Sequence, residues 1–137
     1  MELRSLFAPR LVVHAHCDIP CGIYDPTAAK VAADTVAKMV EKITGASGTD
    51  EASRTTFIRS VTVKEEHAQI CKKELLILWS DYFKPEHLEK YPKLHDTFWK
   101  AAKLCSKNKQ TVDAQAAADL QAAVKEISDI FWATKKQ

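Results

Sequence analysis

Near its C-terminal end the chain carries Ala117, Leu120, Val124, Ile127, Phe131 and Thr134 at alternating spacings of three and four. That period lines all six along one stripe of an α-helix, whereas a strand would scatter them over both faces. The stripe predicts a helix from about Thr111 to Lys135, and a helix with one apolar stripe must bury it against something else.

The same period recurs three times upstream. Ala28, Ala32, Val36, Met39 and Ile43 predict a helix over about 26–44, with Asp25 as N-cap and Pro26 in the first turn, where a missing N–H costs nothing. The GASG stretch at 45–48 ends it. Phe57, Val61, Ala68, Cys71, Leu75, Leu78 and Tyr82 predict a second helix over about 51–83, which stops there because Pro85 disfavours helical geometry at Lys84. A third restarts at Pro85 and presents Tyr91, Leu94, Phe98, Ala101 and Cys105; Pro92 should bend or delay it, and the polar SKNKQ at 106–110 should end it. Four amphipathic helices with short connections and no alternating strand pattern imply an all-α fold, an antiparallel up-down four-helix bundle.

A chain of 137 residues fits one domain. Lys and Arg number 20 against 18 Asp and Glu, too even a balance for a nucleic-acid binder. No apolar run approaches the roughly 20 residues of a membrane span. Neither nucleic acid nor a membrane is therefore an expected partner. Of the four cysteines, Cys71 and Cys105 fall on apolar stripes, where the thiol behaves as a small hydrophobe. A domain of this size is stable without disulfide staples.

Residues 1–15, MELRSLFAPRLVVHA, differ from the rest, with two arginines, one acid, a proline and only the brief apolar run LVV. The run falls short of the roughly 7–15 residues of a secretory core, although Val13 and Ala15 resemble a small-residue cleavage site. The segment reads either as a removable leader ill suited to export or as a frayed arm. The expected location is cytoplasmic.

Directly after it, HCDIPCGIYDP (16–26) packs a histidine, two cysteines and a tyrosine into nine residues. Cutting the Ala15–His16 bond would free an α-amino group with an ordinary pKa of about 7.7–8.0, able to yield a lone pair to a metal near neutral pH. From that amine the Cys17 backbone nitrogen closes one five-membered chelate ring, and the Cys17 thiolate closes a second. Pro20 and Gly22 shape a turn that can bring Cys21 to the remaining equatorial position, with the His16 imidazole left to bind axially. A planar N/S donor set suits Ni(II) or Cu(II), whereas zinc prefers a closed tetrahedron. Because Cu(II) tends to oxidise thiols, nickel is the better match.

HCDIPCGIYDP resembles the N-terminal nickel hook of the nickel superoxide dismutase family, which a peptidase exposes by removing a leader. LWSDYFKPEHLEKYP (78–92) and IFWATKK (130–136) resemble two further segments of that family, so the similarity covers nearly all of the chain after Ala15. The resemblance implies cleavage between Ala15 and His16, a nickel ion cycling between Ni(II) and Ni(III), dismutation of superoxide anion to dioxygen and hydrogen peroxide, and a homohexamer. By similarity the equatorial ligands are the His16 amine, the Cys17 amide and thiolate and the Cys21 thiolate, and the His16 ring is the axial ligand of the oxidised state. Tyr24 and Tyr82 would narrow the open face and order water near it, Asp18 would support the hook, and Lys84 would add local positive potential.

Two positions depart from better-known members of that family. Ala32 stands where they carry a glutamate that holds the axial imidazole, and His67 where they carry a neighbouring arginine. Metal-bound histidines generally need an outer partner to fix their orientation, which makes His67 a candidate replacement. His87 and His95 read as surface or capping residues. Two other readings of the cluster stay open: a redox dithiol formed by Cys17 and Cys21, although no βαβ pattern surrounds them, and a zinc carrier using His16, Cys17, Cys21 and another histidine, which needs no cleavage.

Overall fold

The computed structural model describes residues 22–135, and within them every regular element is helical. Helix α1 spans Thr27–Thr44, α2 spans Glu51–Ile77, α3 is the short Pro85–Lys90, α4 spans Leu94–Gln110 and α5 spans Ala114–Lys135. The four long helices form a ring in which α1 packs on α2 and α5, and α4 packs on the same two. Cross-links of distant residues run antiparallel between neighbours: Lys64 and Lys72 of α2 reach Asn108 and Ser106 of α4, and Asp34 of α1 accepts from Gln121 of α5 at 2.7 Å. This is the up-down four-helix bundle that the stripes predict.

The core follows those stripes closely. Ala32, Val36, Ile43, Ala68, Cys71, Leu75, Leu94, Phe98, Ala101 and Cys105 are buried, and so are Leu120, Val124, Ile127 and Phe131. Burying a Leu, Ile or Phe side chain stabilises a fold by roughly 1.5–3 kcal/mol, so these positions dominate its energetics. Cys71 and Cys105 are free buried thiols, as expected of core cysteines. Their mutual hydrogen bond and their burial push the Cys71 thiol above its ordinary pKa.

Four expectations need correction. Ala28 is exposed, the α1 stripe running instead through Ala29 and Ala33, and Phe57 remains 44% exposed because the first turns of α2 extend past the packed ring. The predicted third helix is two: Tyr91 leaves the helical region at φ −123°, ψ 72° because Pro92 follows it, and α4 begins afresh at Leu94. SKNKQ does not end α4 but forms its last turn. That polar turn is held by burial and hydrogen bonding: the Asn108 amide donates to Leu104 O at 3.0 Å and Ala116 O at 2.8 Å, and the Lys64 ammonium caps the carbonyls of Asn108, Lys109 and Thr111.

The end of α2 positions the site. The predicted stop near Phe83 holds, but the last turn widens over Leu78–Tyr82 into a π-helical turn, with Phe83 N–H donating to Leu78 O at 3.1 Å. Single π turns of this kind interrupt α-helices most often at functional sites.

Candidate metal centre

His16, Cys17, Asp18 and Cys21, the residues expected to form the hook, lie outside the described residues. Their flank is well defined. Gly22, the next residue after Cys21, has φ +87°, a left-handed conformation that only glycine adopts at little cost, in keeping with the turn expected there. Tyr24 follows, 6% exposed, and the Asp25 carboxylate accepts the Thr27 N–H at 2.6 Å to open α1. Hydrogen bonds from the Thr27 side chain and backbone, helped by the charge of Lys135, hold the Asp25 carboxyl below the ordinary carboxylate value.

The final turn of α5 grips this flank. Lys135 Nζ donates to the Tyr24 carbonyl at 3.1 Å while lying 5.2 Å from the centre of the Phe131 ring. Beside it, Tyr82 from the π turn packs edge-on against Tyr24 at 6.2 Å and lies 4.3 Å from Phe131. The Tyr82 phenol is 2.8 Å from Thr134 Oγ1, which in turn donates to the Phe131 carbonyl at 2.7 Å. A threonine hydroxyl has one proton, so Tyr82 is the donor to Thr134, and the remaining valences of its oxygen can only accept. Tyr24 and Tyr82, both singled out in the sequence, thus lie in edge contact.

An open cleft of about 690 Å³ adjoins the same flank, between the start of α1 and the end of α2, with Ile23, Tyr24, Ile77, Leu78 and Glu74 on its walls. Periodicity could not single out Thr134 or Lys135. Thr134 reads as one more stripe position, and the only sequence signal for Lys135 is its place in the IFWATKK segment.

The three histidines among the described residues have other partners. His67 Nδ1 donates to Val63 O of its own helix at 2.9 Å, His87 Nδ1 accepts the Lys84 N–H at 3.1 Å as a cap, and His95 Nδ1 accepts from Trp79 Nε1 at 2.7 Å. Among the described residues no group of three or more His, Cys, Asp or Glu could hold a metal. His14, His16, Cys17 and Cys21 lie in the segment before Gly22. After cleavage before His16, the two thiols, one imidazole and terminal amine that remain would fit nickel chemically.

Fold and sequence together define an all-helical bundle with a His/Cys donor segment directly ahead of its first long helix. Comparison with known proteins narrows this further. The family model for nickel-containing superoxide dismutase matches residues 11–135. The enzyme named superoxide dismutase [Ni] from Streptomyces coelicolor is 41% identical over 134 residues, covering 98% of each chain, and its counterpart from Streptomyces seoulensis is 42% identical over the same span. A native nickel superoxide dismutase structure superposes with a TM-score of 0.78 at 39% identity, covering 89% of this chain and 100% of the other. The chain belongs to the nickel-containing superoxide dismutase family.

Proposed function

We propose that this protein is a superoxide dismutase whose nickel centre forms once residues 1–15 are removed, and that it converts superoxide anion to dioxygen and hydrogen peroxide. The observation that carries the reading is the family match across residues 11–135, which takes in the donor segment and both tyrosines. When bound, nickel supplies one-electron exchange between its divalent and trivalent states, so that one superoxide is oxidised and the next reduced.

The His16 amine and ring, the Cys17 amide nitrogen and thiolate and the Cys21 thiolate would hold the metal, and such anionic donors favour the higher oxidation state. Asp18, by the resemblance, would support the hook. Tyr82, its proton committed to Thr134, offers only acceptor lone pairs and so orders a water donor near the site. Tyr24 buttresses that ring edge-on and narrows the approach. Removing residues 1–15 takes away two of the 20 basic and one of the 18 acidic residues, leaving a near-neutral chain. Electrostatic attraction of the superoxide anion is then local, with the exposed Lys84 the candidate.

The reading includes cleavage by a peptidase between Ala15 and His16. The reading also includes a cytoplasmic location and assembly as a homohexamer. None of the described helices is long and apolar enough to cross a membrane.

Intact mass, nickel content and dismutase activity of protein purified from its own cells test the reading. A chain beginning at His16 with stoichiometric nickel is expected, and the uncleaved chain, whose His16 nitrogen is still an amide, should be inactive. High activity in verified uncleaved protein would refute it.

A further inference from the structure

Cys71 of α2 and Cys105 of α4 are the two cysteines among the described residues, and both are free and 0% exposed. The register of the two helices sets them opposite each other. Lys72, the next residue on α2, donates to Ser106 at 3.1 Å, and two turns further on Trp79 donates to His95 at 2.7 Å. Ala68 and Ala101, one turn before each cysteine on its own helix, are also fully buried and add little bulk between α2 and α4. The two thiols share a hydrogen bond. That bond holds Cys105 below the ordinary thiol value against its burial, helped by the Lys72 charge, while Cys71 is pushed up. One sulfur is thereby primed as a nucleophile, and the other lies in contact with it. A cysteine acting only as a small hydrophobe needs neither a thiol partner nor a nearby ammonium.

We propose that Cys71 and Cys105 are a redox modification site, closing to a disulfide when the protein meets hydrogen peroxide and so stapling α2 to α4. Hydrogen peroxide is a product of the dismutation proposed above, and the inference rests on that reading only for the source of its oxidant. The Cys105 thiolate attacks one peroxide oxygen, the O–O bond breaks, and the departing hydroxide takes the proton that Cys105 gave up and leaves as water. The Cys71 sulfur then attacks the sulfur of the Cys105 sulfenic acid, and the oxygen leaves with the Cys71 proton as a second water. Two thiols have then lost two hydrogens and two electrons, and one peroxide has become two waters. A disulfide needs Cα atoms roughly 4.4–6.8 Å apart, an approach that the small side chains beside the pair favour. Because both sulfurs are fully buried, peroxide reaches them only when α2 and α4 part locally, so opening of the bundle limits the rate. The bond joins positions 34 apart in the chain and restricts the unfolded ensemble, which stabilises the fold, and thiol reductants reverse it.

The test uses the full chain with Cys17→Ser and Cys21→Ser, which leaves Cys71 and Cys105 as its only thiols. This protein is incubated with hydrogen peroxide, beside the same chain carrying Cys71→Ala or Cys105→Ala, and is followed by intact mass, peptide mapping without reduction and thermal unfolding. The expected product has lost two hydrogens and gained no oxygen, yields a peptide joining residues 71 and 105, and unfolds at a Tm higher by about 5–15 °C. Dithiothreitol should reverse all three changes. Cys71→Ala should stop at an oxygen adduct on Cys105, and Cys105→Ala should form no link. Urea below the unfolding transition should speed the reaction in the parent protein, because it favours local opening. Two free thiols after prolonged exposure, oxygen adducts without a link, or a link only between molecules would overturn the inference. A link within the chain that leaves the Tm unchanged would overturn the staple. Peroxide is added rather than generated, so each of these failures strikes the inference and leaves the dismutase reading standing.

Discussion

Lys64 offers the sharpest test of how the bundle is held together. It is 1% exposed, and its ammonium donates to the carbonyls of Asn108, Lys109 (3.2 Å) and Thr111 (2.9 Å), where the helix dipole of α4 presents its negative end. No carboxylate forms a salt bridge with it among the described residues. Burial pushes its pKa below the ordinary 10.5, with Glu65 pulling weakly the other way. Lys64→Met keeps the stem and removes all three donors. The buried Asn108 carbonyl then loses a partner at a cost of about 1–3 kcal/mol, while those of Lys109 and Thr111, nearer the surface, rehydrate and add about 1 kcal/mol more. Against this, the variant no longer strips an ammonium ion of water, a relief that recovers part of the loss. The expected net destabilisation is about 2–3 kcal/mol, or a Tm lower by roughly 6–12 °C for a chain of this length. Lys64→Ala should fall further, because deleting the stem leaves a cavity. Thermal and urea unfolding at pH 7 measure both. Lys64 lies 18 residues before Tyr82, about 27 Å along the helix, so nickel-loaded Lys64→Met should keep its dismutase activity at 25 °C. A Lys64→Met protein as stable as wild type would show that desolvation outweighs the three hydrogen bonds, and would refute the capping argument.

Gly22→Ala puts a side chain on a left-handed residue at a cost of about 1–2 kcal/mol from backbone strain alone, since no atom lies within 4 Å of the new Cβ. Because Cys21 is next to it, nickel affinity of the cleaved protein should drop by about tenfold in chelator competition, and an unchanged affinity would show that the turn is not needed for binding. Thr134→Val frees the Tyr82 proton from its acceptor; dismutase activity should fall at full nickel occupancy, with Thr134→Ser restoring it, and a failure of rescue would point to packing instead. The carboxylates of Asp25, Asp50 and Asp113 take helix-capping hydrogen bonds that hold each pKa below the ordinary 3.8. The folded state therefore binds fewer protons than the unfolded one, and the stability they contribute is fully present above pH 3.8 and lost as pH falls through the lowered values. Tm measured between pH 5 and 2 should decline, and Asp113→Asn should flatten part of that decline.

Much of the fold was legible because its signals are local. The stripe from Ala117 to Phe131, the cap at Asp25 and the breaks before Pro85 and Pro92 each depend on residues within a turn or two of one another. The errors arose where a distant group intervened. SKNKQ looks like a terminator until Asn108 is buried and Lys64 arrives from α2, a partner 44 residues away. Phe57 fits the apolar stripe, yet it stays half exposed because α2 is longer than the helices it packs on.

The donor segment is a reading of the sequence alone. Chelate rings form between adjacent residues, so the chemistry of His16, Cys17 and Cys21 is a property of their order in the chain, and the segments shared with the family reinforce it. The surroundings were not readable in this way. Tyr24 meets Tyr82 and Lys135, and Tyr82 finds Thr134 across 52 residues, only because four helices close into a ring and α2 widens by one residue in its last turn. Periodicity tells which face of a helix avoids water. Which polar group ends up opposite another is settled by how those faces pack, and that is how the Tyr82 phenol and the Lys135 ammonium come to lie against Tyr24.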